Sequence, residues 1–195
     1  MTGLDNGLQD LTAIRTMMER ASKFLSLSGL SGIAIGVIAL GGVWVASEMI
    51  TAQGENAHWP VTFLALAVLV CALGVALFFS ARIAKRRAVP LWEPGARAVA
   101  WALAVPLTAG GAFCGILLAQ GTNGLLVPAM LIFYGLALHN AGNYTVSEVR
   151  ALGGTEVVLG LAATFWPSAW VLFWALGFGV AHIAYGILHY RKYKG

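Results

Sequence analysis

"PVTFLALAVLVCALGVALFFS" (Pro60–Ser80) contains no charged residue. A helix that crosses a bilayer needs about 20 consecutive apolar residues, and this stretch supplies them. Five further runs repeat the pattern: Leu30–Ile50, Ala98–Ala119, Leu125–Ala141, Leu152–Pro167 and Ala169–Tyr190. Short polar links separate them. The chain of 195 residues is 59% hydrophobic and 10% charged, whereas soluble domains carry about a quarter charged residues. The pattern predicts an all-α, six-transmembrane-helix bundle forming a single domain over 1–195. Too little chain lies outside the runs for a separate soluble catalytic or DNA-binding domain.

Ahead of the first run, Leu8, Leu11, Ile14, Met18, Ala21 and Leu25 recur at three- and four-residue steps. Asp10, Arg15, Glu19, Arg20 and Lys23 occupy other faces. This spacing predicts an amphipathic interfacial helix over 1–27, with the six spans in 28–195. A cleaved leader is not expected, because the first apolar run starts late and follows this charged stretch.

The net charge of +4 has a topological origin. Lys and Arg fall in the N-terminal segment, in Arg82–Arg97, at Arg150 and in the tail "RKYKG". The links Thr51–Trp59 and Gln120–Gly124, and the link around Ser168, have none. The positive-inside rule then places both termini in the cytoplasm, consistent with an even number of spans. The expected location is a cytoplasmic membrane. Expected partners are the lipid bilayer, anionic headgroups at Arg82, Lys85, Arg86 and Arg87, and a second copy or another membrane protein. Nucleic acid is not among them. Trp59, Trp166 and Trp170 read as outer interfacial anchors and Trp92 and Trp101 as inner ones, while Trp44 and Trp174 lie deeper. Cys71 and Cys114 share no spacing motif and read as core packing.

Gly29, Gly32 and Gly36, with Ser28 and Ser31, make a small-residue face on the first span, suited to close helix packing in lipid. The candidate chemistry lies elsewhere. Glu156 falls about one turn inside the fifth span, where a carboxylate must face the bundle, find a partner or take a proton. His182 lies at similar depth on the sixth span. Gly179 and Gly186 share its stripe, so the imidazole is expected to point at a neighbouring helix, and Tyr185 and His189 extend the stripe toward the cytoplasm. Glu156 and His182 are therefore expected to form a buried polar pair. Ser31, His139, Asn143 and Tyr185 are expected within reach. His139 and Asn143 share a helix face; Asn140, Tyr144 and Glu148 form a second row if the helix continues.

Two roles fit such a pair: a hydrogen bond that pins helices, or a ligand or proton site. The corresponding functions are a small-ligand or proton-linked transport or binding protein, and a non-catalytic regulatory, sensor or assembly protein. A haem or intramembrane enzyme is a third alternative. "GLSG" (Gly29–Gly32) resembles the serine motif of rhomboid proteases, but there the HxxxN element precedes the serine helix, and here His139–Asn143 follow it. Bis-His haem ligation would call on His139 and His182, and zinc on His139, Glu156 and His182. The sequence assigns no cofactor.

"LTAIRTMMERASKFLSLSGLSGIAIGVIAL", "FYGLALHNAGNYTVSEVRALGGTEVVLGL" and "VLFWALGFGVAHIAYGILHYRKY" resemble a family of small six-span bacterial integral membrane proteins with no established activity. The resemblance implies a six-helix inner-membrane architecture and carries no catalytic residue.

Overall fold

The computed structural model describes residues 29–86, 88, 90, 92 and 94–194. The amphipathic helix expected over 1–27, Ser28 and the headgroup contact expected of Arg87 lie outside the described residues. Those described form six helical rods with no strand among them. They are α1 (Gly29–Gln53), α2 (His58–Arg86), α3 (Pro94–Ala119), α4 (Leu126–Ala141) and α5 (Ser147–Phe165). The last, α6, runs through Trp170–Trp174, a π-helical segment Ala175–Ala181, and His182–Lys194.

Among the described residues, five helices are long and apolar enough to cross a membrane. The most apolar is Trp59–Arg86. Helix α5 is not one of the five; its 19 residues include Glu148, Arg150 and Glu156. The chain is thus a helical membrane protein whose fifth rod is the polar one.

The rods pack in the order α2, α1, α6, α5, α4, α3, so the sequence-adjacent α2 and α3 form the two flanks. Large apolar side chains on α2 point away from the protein, Val70 at 67% exposure. In water that surface would be costly; against lipid tails it is not. Trp44 faces outward as well, and so does Cys71, contrary to its expected place in the core. Trp174 is buried, and its indole N–H donates to the Ala39 carbonyl of α1 at 3.2 Å.

Close approach between rods rests on glycine. A Cβ added to Gly29 would lie 2.5 Å from the Gly186 carbonyl, and one added to Gly36 would lie 2.6 Å from that of Gly179. Lipid supplies no hydrophobic force between helices, so this intimacy is what holds α1 on α6. The same device joins α4 to α5 through Gly135 and Gly153.

Helix α3 contains Pro106. Proline has no N–H, so the carbonyl four residues earlier, Ala102, loses its helical donor. Asn140 of α4 donates its amide to that carbonyl at 3.2 Å. Sequence spacing places Asn140 in a solvated row; in the fold it repairs a proline gap on a neighbouring helix. Asn140→Leu is expected to cost about 1–2 kcal/mol in thermal unfolding in detergent. Adding Pro106→Ala is expected to restore most of that loss; no recovery in the double variant would refute the pairing.

Candidate functional site

Glu156 sits about 13 Å along α5 from Ser147, well clear of the helix end. It is 0% exposed. Two glycines explain how a carboxylate fits there. Gly153, one turn earlier, lets α4 close onto α5. Gly177 of α6 opens room opposite: a Cβ there would stand 2.5 Å from Glu156 Oε2. Neither carboxylate oxygen has a hydrogen-bond partner.

His182, 3% exposed, meets the carboxylate from α6, with Nδ1 3.4 Å from Glu156 Oε1. That nitrogen is 3.2 Å from the Gly177 carbonyl. A carbonyl only accepts, so Nδ1 carries the hydrogen. Nε2 is then the acceptor for the Tyr134 hydroxyl of α4 at 2.8 Å. The imidazole is thus held at both nitrogens, with its Nδ1–H close to a carboxylate that lacks a hydrogen-bond donor. The Tyr134 ring lies 27° from the imidazole plane, with centroids 5.5 Å apart. Phe178 and Trp174 continue the aromatic packing at 5.4 and 5.0 Å.

The π segment aims His182. A π turn holds more residues than an α turn, so His182 rotates away from Gly179, while Gly186 follows it by one α-helical turn. Those glycines face α1, meeting Leu40 and Ile33, while the imidazole reaches α4 and α5. The stripe expected of Gly179, His182 and Gly186 is thus broken at the Gly179 step alone.

The other expected members divide. Tyr185 is buried in a seam with Val146, Val149 and Leu152. Ser31 is buried on α1. His139 and Asn143 are exposed and do not join the site. The reason is local: α4 ends at Ala141 and the chain turns at Gly142, whose N–H bonds to the Leu138 carbonyl at 2.8 Å. The face shared by residues 139 and 143 therefore never forms, and Arg150 instead donates to the side-chain amide oxygen of Asn143. His139, the member shared by the expected haem pair and zinc set, is exposed, while Glu156 and His182 are buried. Among the described residues no group of three His, Cys, Asp or Glu side chains is placed to hold a metal.

Sequence reading missed Tyr134. Its signal was a hydroxyl in the apolar string "LIFYGLAL" beside Gly135, since a tyrosine that deep needs a partner for its O–H.

At the end of the bundle that carries the basic tail, Lys192 of α6 donates to Glu148 in the first turn of α5. Partial burial alone would raise the Glu148 carboxyl, but the hydrogen bond and charge of Lys192 outweigh it and hold the group below its ordinary 4.5. A depressed folded value stabilises the fold above that ordinary value, and the effect is lost as pH falls through the folded one. Lys192→Met is expected to cost on the order of 0.5 kcal/mol at neutral pH. The gap from wild type should close on acidification, as read by paired thermal melts; a gap that widens in acid refutes the assignment.

Comparison with family models, curated proteins and solved structures returns no match to this chain.

Proposed function

We propose that the chain is a proton-linked membrane protein in which Glu156, His182 and Tyr134 hold one exchangeable proton. The architecture that goes with this reading is a six-span bundle with α5 as the polar span. It lies in a bacterial inner membrane with both termini cytoplasmic and the 1–27 helix on the membrane surface. The one-sided Lys and Arg distribution supports that orientation, as does the resemblance to the six-span family. Arg82, Lys85 and Arg86 are exposed at the end of α2, where they suit anionic headgroups.

The carrying observation is Glu156 itself: a fully enclosed carboxylate with no hydrogen-bond donor, 3.4 Å from an imidazole. An unpaired charge in such a place costs several kcal/mol. A proton on the carboxyl relieves that cost and leaves both hydrogen bonds of His182 in place. A ligand or ion carried by the protein would be coupled through that proton.

A regulatory or assembly role is the second reading. It is favoured by the satisfaction of both His182 nitrogens, which also suits a pin between α4, α5 and α6. Infrared difference spectroscopy of the reconstituted protein separates the two. The proton-linked reading expects a buried-carboxyl carbonyl band that grows and fades with pH. A band that stays constant wherever the protein remains folded leaves the pin.

A further inference from the structure

We propose that Glu156 exchanges its proton with water at one end of the bundle only, the end carrying Lys192, by way of Tyr185 and His189. The proposal rests on the reading of Glu156 and His182 as a titrating site and adds the route and its direction.

His182, Tyr185, His189 and Lys192 follow one another along α6 at steps of three, four and three residues. Such steps keep side chains on one helix face. Tyr185 and His189 are 8% and 7% exposed, with ring centroids 5.6 Å apart. Tyr185 packs with Val149 and Leu152 of α5, and its Cδ1 lies where a Cβ on Gly32 of α1 would approach to 2.9 Å. The row therefore occupies a seam among α1, α5 and α6. It ends at the Glu148–Lys192 pair, where the side chain of Lys192 is 57% exposed.

From His182 to His189 is about 10 Å along the axis. A phenol and an imidazole each donate and accept, so together they divide that distance into short hops. Beyond Glu156 in the other direction lie Leu131, Val127, Ala163, Phe173 and Val43. None carries a titratable group, and the indole N–H of Trp174 is committed to Ala39. The polar path leaves the site one way. The titratable groups facing Glu156 are His182 from α6 and Tyr134 from α4. Those nearest His189 along its row are Tyr185 and Lys192, with Glu148 across from Lys192 on α5.

The test uses the full chain in sealed vesicles of phosphatidylethanolamine and phosphatidylglycerol, oriented by protease removal of a C-terminal tag. Internal and external pH are set independently. Dicyclohexylcarbodiimide, which modifies protonated carboxyls in apolar surroundings, reports the state of Glu156 by mass spectrometry. Labelling is expected to follow the pH on the Lys192 side and to ignore the other. His189→Leu is expected to slow the response to a pH jump on that side by about a hundredfold, with the same final labelling. Tyr185→Phe, which keeps the ring packing, gives a second measure of the same slowing. Labelling that follows the opposite side or both sides overturns the route, as does an unchanged rate in both variants. Labelling indifferent to pH on either side removes the titrating site itself, and the route with it.

Discussion

Glu156→Gln is expected to remove the pH-dependent carboxyl band completely while leaving the bundle folded. Among the described residues Glu156 is the one acidic side chain in the buried interior, so no second carboxyl stands ready to replace it. Glutamine keeps the shape and fills the space beside Gly177, but it takes up no proton in this range. Glu156→Leu goes further, replacing a buried ionisable group by an apolar one of similar size. His182 keeps its bonds to Gly177 and Tyr134 without the carboxylate, so the exchange leaves no polar group newly unpaired. Thermal unfolding in detergent should therefore show the leucine variant at least as stable as wild type, with its proton response gone. A leucine variant that melts far below wild type would mean that the carboxylate holds the helices together, and the regulatory or assembly reading would stand in place of the proton site.

The second large effect is expected at Gly153. The Cβ of any larger residue there would meet the Gly135 carbonyl at 2.6 Å and the Cα of His139 at 2.9 Å. Those are backbone atoms of α4, so no side chain can swing aside, and the two helices must part. Gly153→Leu should lose about 3 kcal/mol or more and, by moving Tyr134 away from α6, break its hydrogen bond to His182. The adjacent Gly154 supplies the control, because a Cβ there meets nothing within 4 Å. Gly154→Leu should behave as wild type in size-exclusion and thermal assays. Equal behaviour of the two variants would sink the argument that α4 and α5 are held by glycine contact.

Much of this architecture is legible in the chain because lipid imposes a length on apolar runs. Leu125–Ala141 and Ala98–Ala119 differ from α4 and α3 by only a few residues at their starts. Polar caps carry on beyond the apolar cores: α2 continues to Arg86, six residues past Ser80. The meeting of Glu156 with His182 is legible for a related reason, since a side chain's depth follows from its distance to a helix end. What depth does not reveal is azimuth. His182 turns toward α4 and α5 because the preceding segment is π-helical, and its glycines and small side chains do not spell that winding. Tyr134 stands in an apolar string where a hydroxyl looks like one more lipid-facing aromatic. His139 and Asn143 mislead by four-residue spacing, which has meaning only while the helix lasts, and α4 stops between them. The bond from Asn140 to Ala102 joins residues 38 apart in sequence and depends on the registration of α4 against α3, which no local pattern records.

Helix α2 stands at the flank, seated on α1 where Val68 enters the notch left by Gly42. Its 29 residues make a rod about 43 Å long, against a hydrocarbon layer of about 30 Å. The uncharged stretch Pro60–Ser80 accounts for about 31 Å of that, so the excess is chiefly the basic last turns, which carry Arg82, Lys85 and Arg86 clear of the lipid tails. With a single main neighbour, α2 gives most of its circumference to lipid. The lipid-facing flank and the buried carboxylate of Glu156 are thus separated by two rods, α1 and α6.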